Sequence, residues 1–212
     1  MSYGNERDVE VPAVVEFVRR HVPKAARMSL LDVGAHGSHA TYAPLLRELV
    51  SRQRYAAIDK IHDPATEAIV DEWTTGDLIA LPIRDRYDAV TCVSVIEHVG
   101  IKPWRSDTAK EERLLMFFSL LRIARSAVLL TAPFGHGAVT NEYACVTPDE
   151  LATWSAIASL MGFTDPSNAA RFYLGENPQG LQGWREVTHA EASKRGTAGA
   201  PFVVMVLELA RP

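Results

Sequence analysis

The chain has 212 residues, 47% hydrophobic and 23% charged, the balance of one folded domain and not of a disordered chain. Its formal charge of -4 and isoelectric point near 6.0 argue against a nucleic-acid or membrane-surface protein, because attraction to phosphate backbones and anionic lipid needs an excess of positive charge. Cys92 and Cys145 are too few for a disulfide framework and too far apart to open a zinc site, so a reducing, cytoplasmic setting is expected.

The opening MSYGNERDVE lacks the basic stretch and apolar core of a signal or transit peptide. The apolar runs that follow fall short of the roughly 18 residues of a membrane span. Val11, Val14, Val15, Phe17, Val18 and Val22 recur at helical spacing before Pro23, which predicts an amphipathic helix over about 8–22, packed across a sheet edge. Short apolar segments then follow: MSLLDVG, RYAAID, a weak one before TTGD, YDAVTCVSV, SAVLLTAP and FVVMVLELA. Each has strand length, and several lack polar alternation, as strands buried on both faces do.

Helix-compatible stretches separate them: Tyr42 to Arg54, Ala65 to Trp73, Lys110 to Arg125 and Pro148 to Met161. In the last, Thr147 is the N-cap, Pro148 opens the first turn, Glu150 completes a capping box, and Leu151, Trp154 and Leu160 are core residues. Alternating strands and helices predict an α/β fold with a doubly wound, mostly parallel, Rossmann-like sheet and helices on both faces. Ligands then bind in the crevice beyond the carboxyl ends of the strands. A polar, glycine-rich excursion over about 175–199, with Trp184 and His189, precedes the last strand. Such an excursion covers a substrate or forms a contact between copies of the chain.

Chemistry concentrates at the predicted carboxyl ends. Asp32, Gly34 and Gly37 follow the first strand, where glycine lets backbone approach a ligand and a carboxylate accepts bonds from a cation. Asp59 ends the second strand, 25 residues beyond Gly34, near the spacing at which an acidic residue reaches ribose hydroxyls, although a helix N-cap or a turn carboxylate would read the same way. The run TTGDLIALPIRDRYDAVTCVSVIEHVG, Thr74 to Gly100, closely resembles the central signature of class I S-adenosylmethionine-dependent methyltransferases. The resemblance reaches back to LLDVGAHGS and AAID and forward to SAVLLTAPFG and FVVMVLELA, covering most of the chain.

That resemblance implies S-adenosyl-L-methionine as cofactor and S-adenosyl-L-homocysteine as product. It implies that the backbone at Gly34, Ala35, His36 and Gly37 approaches the methionine part, with Asp32 near its ammonium. It further implies Asp59, with Lys60 beside it, at the ribose, Asp77 on the adenine amino group, the Leu78 backbone on the ring edge, and Ser94 and Val95 on the pocket floor. Glu97 and His98 follow just beyond the fourth strand. The opening turn departs from the family's Asp-x-Gly-x-Gly-x-Gly, with His36 and Ser38 in glycine positions and Gly37 shifted by one, so altered cofactor contacts are expected there. No cysteine or acidic cluster beside His36 and His39 completes a metal site, and no metal is expected.

Methyl transfer from a sulfonium requires alignment, and a base when the acceptor is a hydroxyl. His98, after the fourth strand, and His136, in APFGHG after the fifth, are the candidate catalytic bases. Glu142 and Tyr143 follow His136. The expected activity is methylation of a small-molecule acceptor, most naturally at a hydroxyl oxygen of a sugar or secondary metabolite. The NPPY-like sequence of amino-directed nucleic-acid methyltransferases is replaced by SVIEH. A non-catalytic cofactor-binding partner protein and another nucleotide-dependent enzyme, such as a dehydrogenase, are the alternatives.

Overall fold

A computed structural model of the chain describes residues 6–22, 27–51, 53–80, 86–101, 109–135, 144–165, 169–175, 183–194 and 203–212. Helix α1 (Arg7–His21) carries Asp8 and Glu10 in its first turn and Arg19, Arg20 and His21 in its last, each sign opposed to the local end of the helix dipole. Strands β1 (Ser29–Val33), β2 (Arg54–Asp59), β3 (Glu72–Thr75), β4 (Tyr87–Val93) and β5 (Ala124–Pro133) run parallel to one another. Helices α2 (Ala43–Leu49), α3 (Pro64–Glu67), α4 (Ala109–Ile123) and α5 (Pro148–Leu160) intervene. The chain then adds β6 (Ala170–Gly175), β7 (Trp184–Val187), the short α6 (His189–Ala192) and β8 (Val203–Ala210).

One sheet results, in the order β3-β2-β1-β4-β5-β8-β6-β7. Strand β8 inserts antiparallel between β5 and β6, and β7 returns antiparallel along the far edge. All five residues of β1 are buried, which explains why its sequence shows no polar alternation. Two apolar layers flank the sheet. Phe17, Val18, Tyr42, Leu46 and Tyr55 build one beneath α1 and α2; Phe117, Leu120, Leu121, Leu151 and Trp154 build the other beneath α4 and α5. Phe117 and Trp154 stack there with ring centroids 4.7 Å apart.

Several expectations need correction. Helix α1 lies over β4, β5 and β8, in the middle of the sheet and not across its edge. Its buried face is Val9, Glu10, Ala13, Val14, Phe17 and Val18, so Val11 and Val15 sit at the margin. The helix expected from Ala65 to Trp73 is a single turn ending at Glu67, and Trp73 lies in β3. The helix expected from Tyr42 to Arg54 closes at Leu49, because Arg54 already belongs to β2. Leu160 is 87% exposed and contributes nothing to the core. The excursion holds β7 and α6; its remainder, 176–182 and 195–199, lies outside the described residues. Among the described residues no helix is long and apolar enough to cross a membrane.

Candidate active site at the carboxyl edge of the sheet

The parallel register brings the ends of β3, β2, β1, β4 and β5 into one row. Four of the predicted features lie along it: Asp77 past β3, Asp59 at the end of β2, the Gly34 turn past β1, and Ser94 past β4.

The glycine turn is tied down from β2. Gly34 N–H donates to Ile58 O at 2.8 Å, and His36 N–H donates to Asp59 Oδ2 at 3.0 Å. Asp59 Oδ1 accepts from Ile61 N–H at 2.8 Å, so this carboxylate bridges two turns and caps no helix. The His36 side chain is exposed while Ala35 is fully buried, and a glycine's absence at position 36 is therefore sterically harmless. Gly34 has φ +75°, and a Cβ built on it would stand 2.1 Å from Val95 Cγ2. The β1 and β4 turns thus touch through Val95, and glycine is required at 34 both for its backbone angle and for this close approach.

The cap of α3 is Asp63, a residue the motif reading passed over. Asp63 Oδ1 accepts from Ala65 and Thr66 N–H. Its Oδ2 accepts from Gly37 N–H at 2.8 Å and Thr66 Oγ1 at 2.7 Å and lies 3.1 Å from His39 Nδ1. The Gly37 bond is the chief reason the Asp63 carboxyl lies far below its ordinary value, with Thr66 and His39 adding to the effect against the cost of burial. His39 is accordingly committed to this cluster. Asp63→Ala is expected to lower unfolding free energy by about 2–3 kcal/mol in urea titrations, the sum of a lost cap and a lost charge-assisted bond. Because the folded-state value is depressed, that contribution is present at neutral pH and drains away as pH falls below the unperturbed value of 3.8. The DPATE spelling of a cap followed by proline was the available signal.

Asp77 and Lys60 meet in an ion pair of 2.7 Å. Burial works against the Asp77 charge, but the bonds from Lys60 and Ile79 N–H outweigh it and hold the carboxyl below its usual value. Lys60 reaches across from the β2 end, so Asp59, Lys60 and Asp77 form one polar group. The Leu78 side chain is buried in the core beneath.

Asp32 is fully buried. Its Oδ1 accepts from Thr91 Oγ1 at 2.8 Å and Tyr42 Oη at 3.4 Å, while Oδ2 makes no hydrogen bond of ordinary geometry and has the Tyr55 hydroxyl for a neighbour. Burial drives its carboxyl up to about 7, against the opposing interactions of the Thr91, Tyr42 and Tyr55 hydroxyls.

The β4 end holds an arrangement that spacing did not reveal. Ser94 has φ +52°, the one positive value at a non-glycine residue among those described, a conformation that costs about 1–3 kcal/mol and is found where surrounding contacts enforce it. Those contacts are visible: Ser94 N–H donates to Thr131 Oγ1 at 3.1 Å, and Ser94 Oγ donates to Glu10 Oε1 at 2.6 Å. Thr131 Oγ1 donates to the same Glu10 oxygen at 2.5 Å, and Arg7 pairs with Glu10 Oε2 at 2.9 Å. Ser94 therefore turns its hydroxyl toward α1. Three residues on, Glu97 is 3% exposed and its Oε2 has no partner. Burial pushes its carboxyl up to about 8, with Glu10 and Glu6 adding to the rise and its own backbone N–H and Arg7 opposing it. His98 beside it is exposed. His136, Glu142 and Tyr143 lie outside the described residues.

The fold is shared with solved enzymes. The magnesium protoporphyrin IX methyltransferase of Synechocystis PCC 6803, crystallised with S-adenosylhomocysteine, superposes with a TM-score of 0.62 at 15% identity, over 98% of this chain and 84% of that one. The methyltransferase domain of the bacterial protein CtHen1-CN matches with a TM-score of 0.56 at 17% identity, over 96% and 98%. The 1,6-didemethyltoxoflavin-N1-methyltransferase of Burkholderia thailandensis matches with a TM-score of 0.56 at 14% identity, over 97% and 79%. The chain has the class I methyltransferase fold. No protein-family model matches the chain, and no curated protein matches its sequence. On this methyltransferase fold, the predicted cofactor residues and the unpredicted Glu10, Asp63 and Thr131 share one edge of the sheet.

Proposed function

We propose that the chain is an S-adenosylmethionine-dependent methyltransferase acting on a small-molecule acceptor. The observation that carries this reading is the row of acidic groups at the ends of β1, β2 and β3, beside a glycine turn that only glycine can make. Asp59 and Asp77 match vicinal hydroxyls and an exocyclic amine, which donate hydrogen bonds, and the Asp32 carboxyl on β1 matches a cation. A bound cofactor would supply an electrophilic methyl group, and the chain's task is then to hold the acceptor in line with it and exclude water. Since the adenosine groups line β2 and β3 and the methionine groups line β1 and β4, the acceptor enters beyond β4 and β5.

A hydroxyl oxygen of a sugar or secondary metabolite is the acceptor we assign, with His98 and His136 as the bases. The solved enzymes of similar fold include one named for methylation at nitrogen, and the carboxyl-rich β4 end supports an amine acceptor as the second reading. Asp59 already holds two backbone N–H groups and Asp77 a lysine, so each carboxylate is held in place before a ligand arrives. Calorimetric titration of purified protein with S-adenosylmethionine is expected to give saturable binding, and titration with NAD none. Alanine at Asp59 or Asp77 should weaken the first by about 1.5–3 kcal/mol each. Unchanged affinity in both variants would mean that the site lies elsewhere.

A further inference from the structure

The β4 end presents a carboxyl that none of the roles above uses. Glu97 sits on the turn Ile96–His98, directly past β4. Two residues before it, Val95 packs against the Gly34 turn, so Glu97 borders the junction of β1 and β4 where the methionine part of the cofactor is proposed to lie. Among the described residues the charged groups acting on it are Glu6, the N-cap of α1, and Arg7 and Glu10 within α1, and it acts in turn on the Cys92 thiol from β4. Arg7 is shared with Glu10, whose carboxylate also takes the Ser94 and Thr131 hydroxyls. Asp32, on neighbouring β1, likewise acts on Cys92. Helix α4 packs on the same turn, but its buried arginine, Arg113, is directed to Glu150. His98, on the same turn, is exposed and acts on Glu6. Among the described residues three carboxyl groups therefore share one guanidinium, and Glu97 keeps an oxygen without a hydrogen-bond partner that can receive a positive charge.

We propose that Glu97 faces the sulfonium of the methyl donor and releases its proton when the donor binds. The uncharged thioether product provides no such charge, and binding it leaves Glu97 protonated. This rests on the methyltransferase reading above. The proton balance closes over a turnover. Donor binding sends one proton from Glu97 to solvent. Transfer breaks the sulfur–methyl bond, leaves its electron pair on sulfur, forms the acceptor–methyl bond and discharges the sulfonium. Glu97 then takes up one proton, equal in number to the one the acceptor sheds. The buried carboxyl thereby distinguishes substrate cofactor from product cofactor by charge, favouring exchange of one for the other after each reaction.

The test is calorimetric titration of the full chain with S-adenosylmethionine and, separately, S-adenosylhomocysteine, in buffers of different ionisation enthalpy. The range of about pH 6 to 7 keeps the α-amino groups of both ligands largely protonated. A proton held in the free protein and lost in the complex makes affinity rise about tenfold per pH unit below the free-state value. The pH dependence for S-adenosylmethionine should therefore be steeper by about that factor than for the thioether, with close to one additional proton released. Any contribution from Asp32 facing the common ammonium cancels in the comparison. Glu97→Gln should erase the difference between the two ligands, and Glu97→Asp should retain part of it. Equal proton release for both ligands in the unaltered protein, which needs no variant to fold, overturns the proposal. So does a difference that survives in Glu97→Gln. Failure of either ligand to bind at all would instead overturn the methyltransferase reading.

Discussion

Gly34→Ala should destabilise the protein by about 3 kcal/mol or more and abolish saturable binding of S-adenosylmethionine. Two costs combine. Alanine at φ +75° is strained wherever it stands, by about 1–3 kcal/mol. In addition, its methyl group would lie 2.1 and 2.8 Å from the two methyl carbons of Val95, an overlap that a close-packed neighbour relieves only by moving the β4 turn. Urea denaturation measures the first effect and calorimetry the second. Gly34→Ala combined with Val95→Ala separates them: removing the valine methyls should recover part of the stability and none of the backbone strain. Full recovery in the double variant would mean that the positive angle is not needed.

Glu150→Ala should cost about 3–5 kcal/mol, with its effect on the opposite face of the sheet. Arg113 donates from Nε and Nη2 to Glu150 Oε1 at 2.8 and 2.6 Å, and both side chains are almost wholly buried. The other Glu150 oxygen completes the α5 capping box with the Thr147 backbone and hydroxyl at 3.0 Å. Alanine leaves a buried guanidinium with no anion, the larger loss, and opens the cap as well. Because a buried pair of charges is itself costly to desolvate, Arg113→Met with Glu150→Leu should regain much of the stability that Glu150→Ala loses. Equal destabilisation of the single and double variants in urea titrations would show that the cap, and not the ion pair, carries the effect.

The contrast between these two positions shows what a sequence reveals. The capping box was legible because its chemistry is local, three residues apart. That its glutamate also answers an arginine 37 positions earlier was not. Strands β1, β2, β4, β5 and β8 could be read because burial on both faces leaves unbroken apolar runs. Strands β6 and β7 could not, since ARFYLG and WREV form an edge hairpin with half-exposed side chains, and exposed edges carry the polar residues of loops. At the candidate site, spacing singles out Asp59 and the methyltransferase-like signature singles out Asp77. Glu10 looked like one more charge near a helix start, although it is 1% exposed. Its partners Ser94 and Thr131 lie 84 and 121 residues downstream, beyond the reach of any local pattern. Leu160 failed in the opposite sense, an apolar residue at a helix end with nothing above it.

That same Glu10 contact orders events during synthesis. A chain emerging from its amino terminus makes α1 before β4 and β5, yet the hydroxyls that donate to Glu10 do not exist as a pair until those two strands have both been made and joined. Until then α1 lacks its contacts with β4, β5 and β8, and the Glu10 carboxylate lacks its hydroxyl partners. A helix made before its partners is therefore seated late, once β4 and β5 have been made. Seating of α1 then becomes a report that β4 and β5 have paired in register.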